Sequence, residues 1–394
     1  MNIGIVLANS PSKSETFFRN KIQGLIKMGF QVTLFANQKE KFQLCDLISH
    51  PKIVRTLLLQ IILMFLAYLR LFLKKPKIFF RFLRLEKNDG TTLIDRWKNL
   101  YINSNILLKN IDWLHFGYIT MAINRENVAE AMGIKMSASI RGYDICIFPL
   151  KNKSCYDRVF EKLDKLHSIS YDLLDTARTF GLSESIPQII IRPAIDIDIF
   201  NYKVNRNANL NVRQIDILTV SRLHWKKGNE YTLQALELLK GKNIKFHFTI
   251  IGEGDDRERL IYTVNQLGLN NDVTFLGSIS HKIIKEYYKK ADIYLQYSIQ
   301  EGFCNAVLEA QAMGLLTIVS DAEGLSENII NGSTGWVVPK RRPDLLAKQI
   351  EEVIFHKPTD FIKIRKKAYD RVREHFNLEK QRLAFFDFFK TSKA

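Results

Sequence analysis

The sequence predicts an α/β protein built from two doubly wound domains. Three observations carry this. The chain has 394 residues, too many for one ordinary core and suited to two domains of about 150–200 residues. Two regions repeat the order apolar strand, small-residue loop, amphipathic helix, which indicates parallel sheets covered on both faces. Between them lies Asn201–Gln214, a polar, Asn-rich stretch with no apolar period, which reads as a linker.

The first region opens with the apolar run Ile3–Ala8, the loop Asn9–Ser14, and a helix through Phe17, Ile22, Leu25 and Ile26. A second strand is expected at Gln31–Ala36. The second region opens at Ile215–Ser221, with a loop through Gly228 and a helix through Leu233, Leu236 and Leu239. Strands follow at Phe246–Gly252, Val273–Leu276, Ile293–Gln296 and Thr317–Ser320. The predicted domains are 1–205 and 206–376. The stretch 377–394 carries Leu383, Phe385, Phe386, Phe388 and Phe389, too apolar for a free tail, and is expected to dock back on the first domain. Segment 53–85 stands apart. Thr56–Leu69 is almost wholly apolar, and Arg70, Lys74, Lys75, Lys77, Arg81 and Arg84 follow. The uncharged run is shorter than the roughly 20 residues that span a bilayer. It reads either as a core helix pair or as a basic, apolar segment lying on anionic lipid, and the Lys and Arg beside Phe79, Phe80 and Phe82 favour the second.

Hydrophobic residues make up 46% and charged residues 25%, which excludes a disordered chain. The formal net charge of +17 calls for a polyanionic partner: nucleic acid, an anionic membrane or a phosphorylated ligand. The four cysteines, Cys45, Cys146, Cys155 and Cys304, form no CxxC pair, so isolated reduced thiols in a cytoplasmic protein are expected. The N-terminal run lacks the basic start and long apolar stretch of a signal peptide.

Two motifs carry chemistry. In Glu301-Gly302-Phe303-Cys304-Asn305-Ala306-Val307-Leu308-Glu309, a strand gives way to a helix. Free N–H groups near Phe303–Ala306 at a helix start suit a diphosphate. The carboxylates of Glu301 and Glu309 suit sugar hydroxyls, one for a donor sugar and one for a ribose. In Ser221-Arg222-Leu223-His224-Trp225-Lys226-Lys227-Gly228, Arg222 and Lys227 are placed to neutralise a departing diphosphate. Other signals are weak. Gly252-Glu253-Gly254-Asp255-Asp256-Arg257 lacks the third glycine of a dinucleotide fingerprint. Asp196-Ile197-Asp198 mimics a metal-binding DxD without further ligands. The phosphate loop GxxxxGK[ST] and the elbow GxSxG do not occur.

Taken together, the two motifs resemble retaining glycosyltransferase family four, with its GT-B fold of two Rossmann-like domains facing a central cleft. The E-x7-E pair corresponds to Glu301 and Glu309, and the upstream arginine and lysine to Arg222 and Lys227. Val273–Gly277, Ala291-Asp292, Ala310–Gly314 and Gly332–Pro339 extend the similarity over nearly the whole second domain. The resemblance implies that Glu309 binds the ribose, that Glu301 contacts the donor sugar, and that Gly302, Phe303, Cys304 and Asn305 lie along sugar and phosphates. In the first domain, Pro11–Phe17 is similar to a loop of exopolysaccharide-type members, which implies acceptor-side roles for Ser14, Glu15 and Thr16. Asp112–His115 looks like the strand whose histidine, here His115, lies by the donor sugar, so His115 joins Glu301, Arg222 and Lys227 as expected catalytic residues. Ser139–Asp144 resembles a later cleft loop, with Arg141 and Asp144 on the acceptor side. His167–Leu174 and Arg192–Phe200 look like closing strands. Leu316, Glu323-Gly324 and Cys304 depart from the family's usual residues, and donor sugar identity does not carry over.

The expectation is a retaining, metal-independent transferase in cell-surface polysaccharide synthesis, using no cofactor. It would take a UDP- or GDP-linked sugar and a lipid-linked glycan acceptor, and sit peripherally on the cytoplasmic face of the inner membrane. The alternatives are a nucleotide-sugar epimerase of the same fold and a basic nucleic-acid-binding protein. The second needs a basic stripe interleaved with aromatics. Here the basic residues sit beside aliphatic runs, so no nucleic-acid partner is expected.

Overall fold

Two sheets organise the chain. The computed structural model describes residues 1–12, 16–38, 42–201, 210 and 213–390. It forms two compact units, Met1–Ile191 with Arg382–Ala394, and Arg192–Gln381. The division falls before the Asn-rich stretch, most of which lies outside the described residues.

In the first unit the strands are β1 (Asn2–Asn9), β2 (Gln31–Asn37), β3 (Asp46–Ile48), β4 (Trp113–Phe116), β5 (Lys135–Ile140), β6 (Lys165–Ser168) and β7 (Gln188–Ile190). They lie in the order β3-β2-β1-β4-β5-β6-β7, all pairs parallel. Ile3, Ile5 and Leu7 of β1 meet Phe18, Ile22 and Leu25 of helix α1 (Thr16–Lys27) in one core. That core also takes Phe385, Phe388 and Phe389 of the last helix, Leu378–Lys390. Each of these phenylalanines, once buried, contributes about 2–3 kcal/mol. The apolar period of 378–389 thus reflects packing.

Family resemblance overreads two segments in this region. His167–Leu174 is the end of β6 followed by the helix Tyr171–Thr179, whose first turn is capped by Ser170 Oγ accepting from Leu173 N at 3.3 Å. Arg192–Phe200 is no strand: it holds a single bridge, Ile195 to Asn377. Pro193 has no N–H to give, and Asp196 Oδ1 accepts from Asp198 N (3.0 Å) and folds the chain into a turn.

Segment 53–85 becomes α2 (Leu57–Lys74) and α3 (Pro76–Asn88), both packing on α4 (Leu93–Leu107). Pro76 starts α3 at a position where its missing N–H costs nothing. The core reading fails for α2, whose single buried residue is Leu71. Among the described residues α2 is the one helix long and apolar enough to cross a membrane by length and composition.

The second unit holds β8 (Ile215–Val220), β9 (Phe246–Ile251), β10 (Val273–Gly277), β11 (Ile293–Gln296), β12 (Leu316–Ser320) and β13 (Trp336–Val338). Their order is β10-β9-β8-β11-β12-β13, again parallel. The chain therefore reverses direction across the sheet between β8 and β11. Loops leaving the carboxyl ends of those two strands meet at this switch point, the usual ligand position in such sheets.

Candidate functional site

Both chemistry-bearing motifs sit at that switch point. Ser221–Gly228 follows β8, and Tyr297–Cys304 follows β11. The two loops are stitched together by Ile299 N and Gln300 N, which both donate to Lys226 O at 2.7 and 3.2 Å. Gly228 makes this approach possible. It has φ +62°, and a Cβ there would stand 2.1 Å from Tyr297 O. The Gly252-Glu253-Gly254 turn lies equally close on the other side: a Cβ at Gly254 would meet Leu223 O at 2.1 Å. Its glycines thus serve close packing beneath the Arg222 loop.

Lys227 Nζ donates to Glu301 Oε2, and both side chains are 16% exposed. Burial acts to lower the Lys227 pKa, but the Glu301 carboxylate outweighs it and the net shift is upward. Arg222 is exposed and makes no hydrogen bond or ion pair among the described residues. Glu301 is held from behind, its N–H donating to Glu323 Oε2 at 2.9 Å. Glu323 in turn pairs with Lys340 at 3.1 Å.

The helix Asn305–Ala312 begins directly after this loop, with Cys304 as its N-cap residue. Cys304 and Asn328 exchange two hydrogen bonds: Cys304 N donates to Asn328 Oδ1 (3.1 Å), and Asn328 Nδ2 donates to Cys304 O (2.9 Å). The Cys304 N–H is therefore already committed, which removes it from the expected ligand donors. Its thiol is buried and its pKa pushed up to about 12 by that burial, the state of an inert side chain. Gly302 and Phe303 are buried, and Asn305 is half-buried. Glu309, farther along the helix, accepts from Tyr288 O–H at 3.0 Å. Burial raises its pKa to about 7, and the Tyr288 bond opposes the shift only in part. Tyr288, Glu323, Asn328 and Lys340 carry no local sequence signal. The sheet order brings them to the loop.

The expected residues of the first unit stand differently. His115 is fully buried on β4, with both ring nitrogens engaged: Nδ1 by Ser137 Oγ (2.8 Å), Nε2 by Lys21 Nζ (2.6 Å) and Ser139 Oγ (3.0 Å). Ser139 Oγ also bonds His167 Nδ1 at 2.8 Å, and the rings of Phe388 and Phe389 close the space. His115, expected to be catalytic, is a buried node whose ring nitrogens are bonded within this unit. Burial, and then Arg141, hold the Lys21 pKa well below the ordinary lysine value. The unfolded chain thus binds more protons than the folded one, and this group's contribution to stability rises with pH toward the normal lysine range. Lys21→Met is expected to flatten that slope, and thermal melts across pH 6–9 check it. An unchanged slope would contradict the assignment.

Arg141 lies over the Phe17 ring, 3.8 Å from its centroid. Asp144 is buried, with Thr120 Oγ1 at 3.4 Å, and burial pushes its pKa up to about 7. Ser14 and Glu15 lie outside the described residues, and Thr16 opens α1. Among the described residues no three His, Cys, Asp or Glu side chains converge as metal ligands.

Residues 202–374 match the model of the glycosyl transferases group 1 family. An uncharacterized glycosyltransferase of Methanocaldococcus jannaschii is 36% identical over 156 residues, a stretch covering 39% of either chain, well under two thirds of that relative. The putative colanic acid biosynthesis glycosyltransferase WcaL of Escherichia coli is 24% identical over 96% of each chain. A Campylobacter jejuni relative, named N,N'-diacetylbacillosaminyl-diphospho-undecaprenol alpha-1,3-N-acetylgalactosaminyltransferase, is 33% identical over 36% of each chain. The structure of HepE from Anabaena, solved with UDP and glucose, shares the fold at a TM-score of 0.71 and 14% identity over 99% of both chains. The GT-B fold expected from the motifs is the fold observed, and residues 202–374 are similar to the glycosyl transferases group 1 family.

Proposed function

We propose that this protein transfers a sugar from a UDP- or GDP-linked donor to a lipid-linked glycan during cell-surface polysaccharide synthesis, with retention at the anomeric carbon and without a metal. The observation that carries the reading is the meeting of Arg222, the Lys227–Glu301 pair and Glu309 at one switch point beside a helix start. The family match over 202–374, and relatives named for colanic acid biosynthesis and for a diphospho-undecaprenol acceptor, support it.

In this reading the diphosphate lies against Arg222, Lys227 and the amides of Gly302, Phe303 and Asn305. The two cations carry the charge that develops as the phosphate leaves, the task a metal performs elsewhere. Glu301 holds donor sugar hydroxyls and Glu309 the ribose. The departing phosphate takes the proton of the acceptor hydroxyl on the face it leaves, which preserves the anomeric configuration. Arg141 and Asp144, with Ser14, Glu15 and Thr16, serve the acceptor. The enzyme works at the cytoplasmic face of the inner membrane, held there peripherally. Proton NMR of the product, with and without EDTA, tests the chemistry. Retention with full activity in EDTA is expected. Inversion, or loss of turnover that added Mg²⁺ restores, would contradict it.

Glu309 adds a pH signature. With a pKa of about 7 it is mostly neutral at pH 6 and ionised at pH 8. Ribose hydroxyls donate best to the ionised form. Nucleotide affinity is therefore expected to rise about tenfold from pH 6 to pH 8. Glu309→Gln should bind weakly and without that slope in titration calorimetry. The same shift costs the apo fold stability as pH climbs from the ordinary carboxylate range to about 7, because folding favours the neutral acid.

A further inference from the structure

We propose that α2, with the first turn of α4, is an in-plane membrane anchor whose apolar side embeds in the acyl region of an anionic bilayer. The inference rests on the membrane-side acceptor proposed above and specifies how the protein is held there.

From Leu57 to Leu69 every exposed side chain of α2 is apolar. Leu58, Ile61, Ile62, Phe65, Leu66 and Leu69 are each more than 40% exposed. Their spacing along the helix places them on one arc of roughly half the circumference. The opposite side packs on α3 and α4, so α2 is apolar toward both the protein and solvent. At the start of α4, Leu93 and Ile94 extend the surface, 65% and 68% exposed. Trp97 lies at its border, where Tyr68 O–H donates to Trp97 O at 2.7 Å. A face this large on a soluble unit marks an interaction site.

The charges around it select the occupant. No Asp or Glu occurs from Ile53 to Leu85. Exposed Arg55 precedes α2, exposed Arg70 and Lys74 close it, and exposed Lys77, Arg81 and Arg84 continue on α3. A bilayer of acidic lipids meets both features at once, acyl chains for the arc and headgroups for the rim. A second copy of this chain seated on the same face would bring the basic rim against itself. Orientation follows from connection. Basic residues flank both of its ends, and it stays packed on α3 and α4, so it lies along the interface.

Flotation of the full chain with phosphatidylcholine vesicles, with and without phosphatidylglycerol, tests this. Binding is expected to the anionic vesicles and to persist in part at high salt, because the acyl contact is unscreened. Ile62→Glu with Phe65→Glu should lower partition at least about tenfold. Nucleotide-dependent thermal shifts, read on the same variant, report whether it is folded and whether the donor site stands, independently of lipid. Brominated lipids should quench Trp97 fluorescence, identified by its loss in Trp97→Phe. Absence of binding to acidic vesicles would overturn the proposal. So would binding wholly reversed by salt without Trp97 quenching, or a stable solution dimer that the two Glu substitutions dissociate.

Discussion

Replacing Arg222 by Ala is expected to slow sugar transfer by about 10²–10³-fold, the usual cost of removing one preorganised group from a developing negative charge. The side chain is exposed and bonded to nothing among the described residues, so the fold has no use for it. Stability should stay within about 0.5 kcal/mol of the parent. Donor KM should change far less than kcat, since the charge that Arg222 meets grows mainly in the transition state. Steady-state kinetics with thermal melts separate these terms. Equal losses in kcat and melting temperature would mean Arg222 supports the loop and not the reaction. Lys at the same position should recover part of the rate, because it restores the charge without the planar fork.

Lys227→Met is expected to cost about 3 kcal/mol of stability as well as donor affinity. It strands the Glu301 carboxylate, which is 16% exposed and whose backbone is fixed by the Glu301 N–H donating to Glu323 Oε2. The double variant Lys227→Met with Glu301→Gln should recover most of that stability, because it removes the orphaned charge, yet it should stay inactive. Denaturant melts of the four members of the cycle give the coupling directly. If the double variant is no more stable than Lys227→Met, the pair is not the structural link described here.

The sequence made the parallel strands and their helices plain wherever an apolar run was long. Ile293–Gln296 was legible residue for residue as β11, and β8, β9 and β10 to within a residue at their ends. Short edge strands such as Asp46–Ile48 and Gln188–Ile190 were not. Three residues carry no period, and their pairing depends on neighbours far along the chain. The motif residues stood out because helix starts and basic loops have local signatures. That Lys227 meets Glu301 did not, since it follows from β8 lying beside β11, a property of strand order. The surroundings of His115 were hidden for a related reason. A histidine closing an apolar strand looks the same whether it opens to a ligand or turns inward. Lys21, Ser137 and Ser139, which decide the matter, come from α1 and β5. The surface of α2 was ambiguous because its apolar residues occupy every side. Only the position of α4 tells which side the protein covers.

The most direct test of the donor site is a thermal-shift titration of the parent and of Glu309→Ala with UDP, GDP, ADP and CDP, each with and without EDTA. One nucleotide, UDP or GDP, should raise the melting temperature of the parent equally in both conditions, with little effect on the variant. Equal shifts in parent and variant, or no shift with any nucleotide, would contradict a donor site built on Glu301, Glu309 and their two cations.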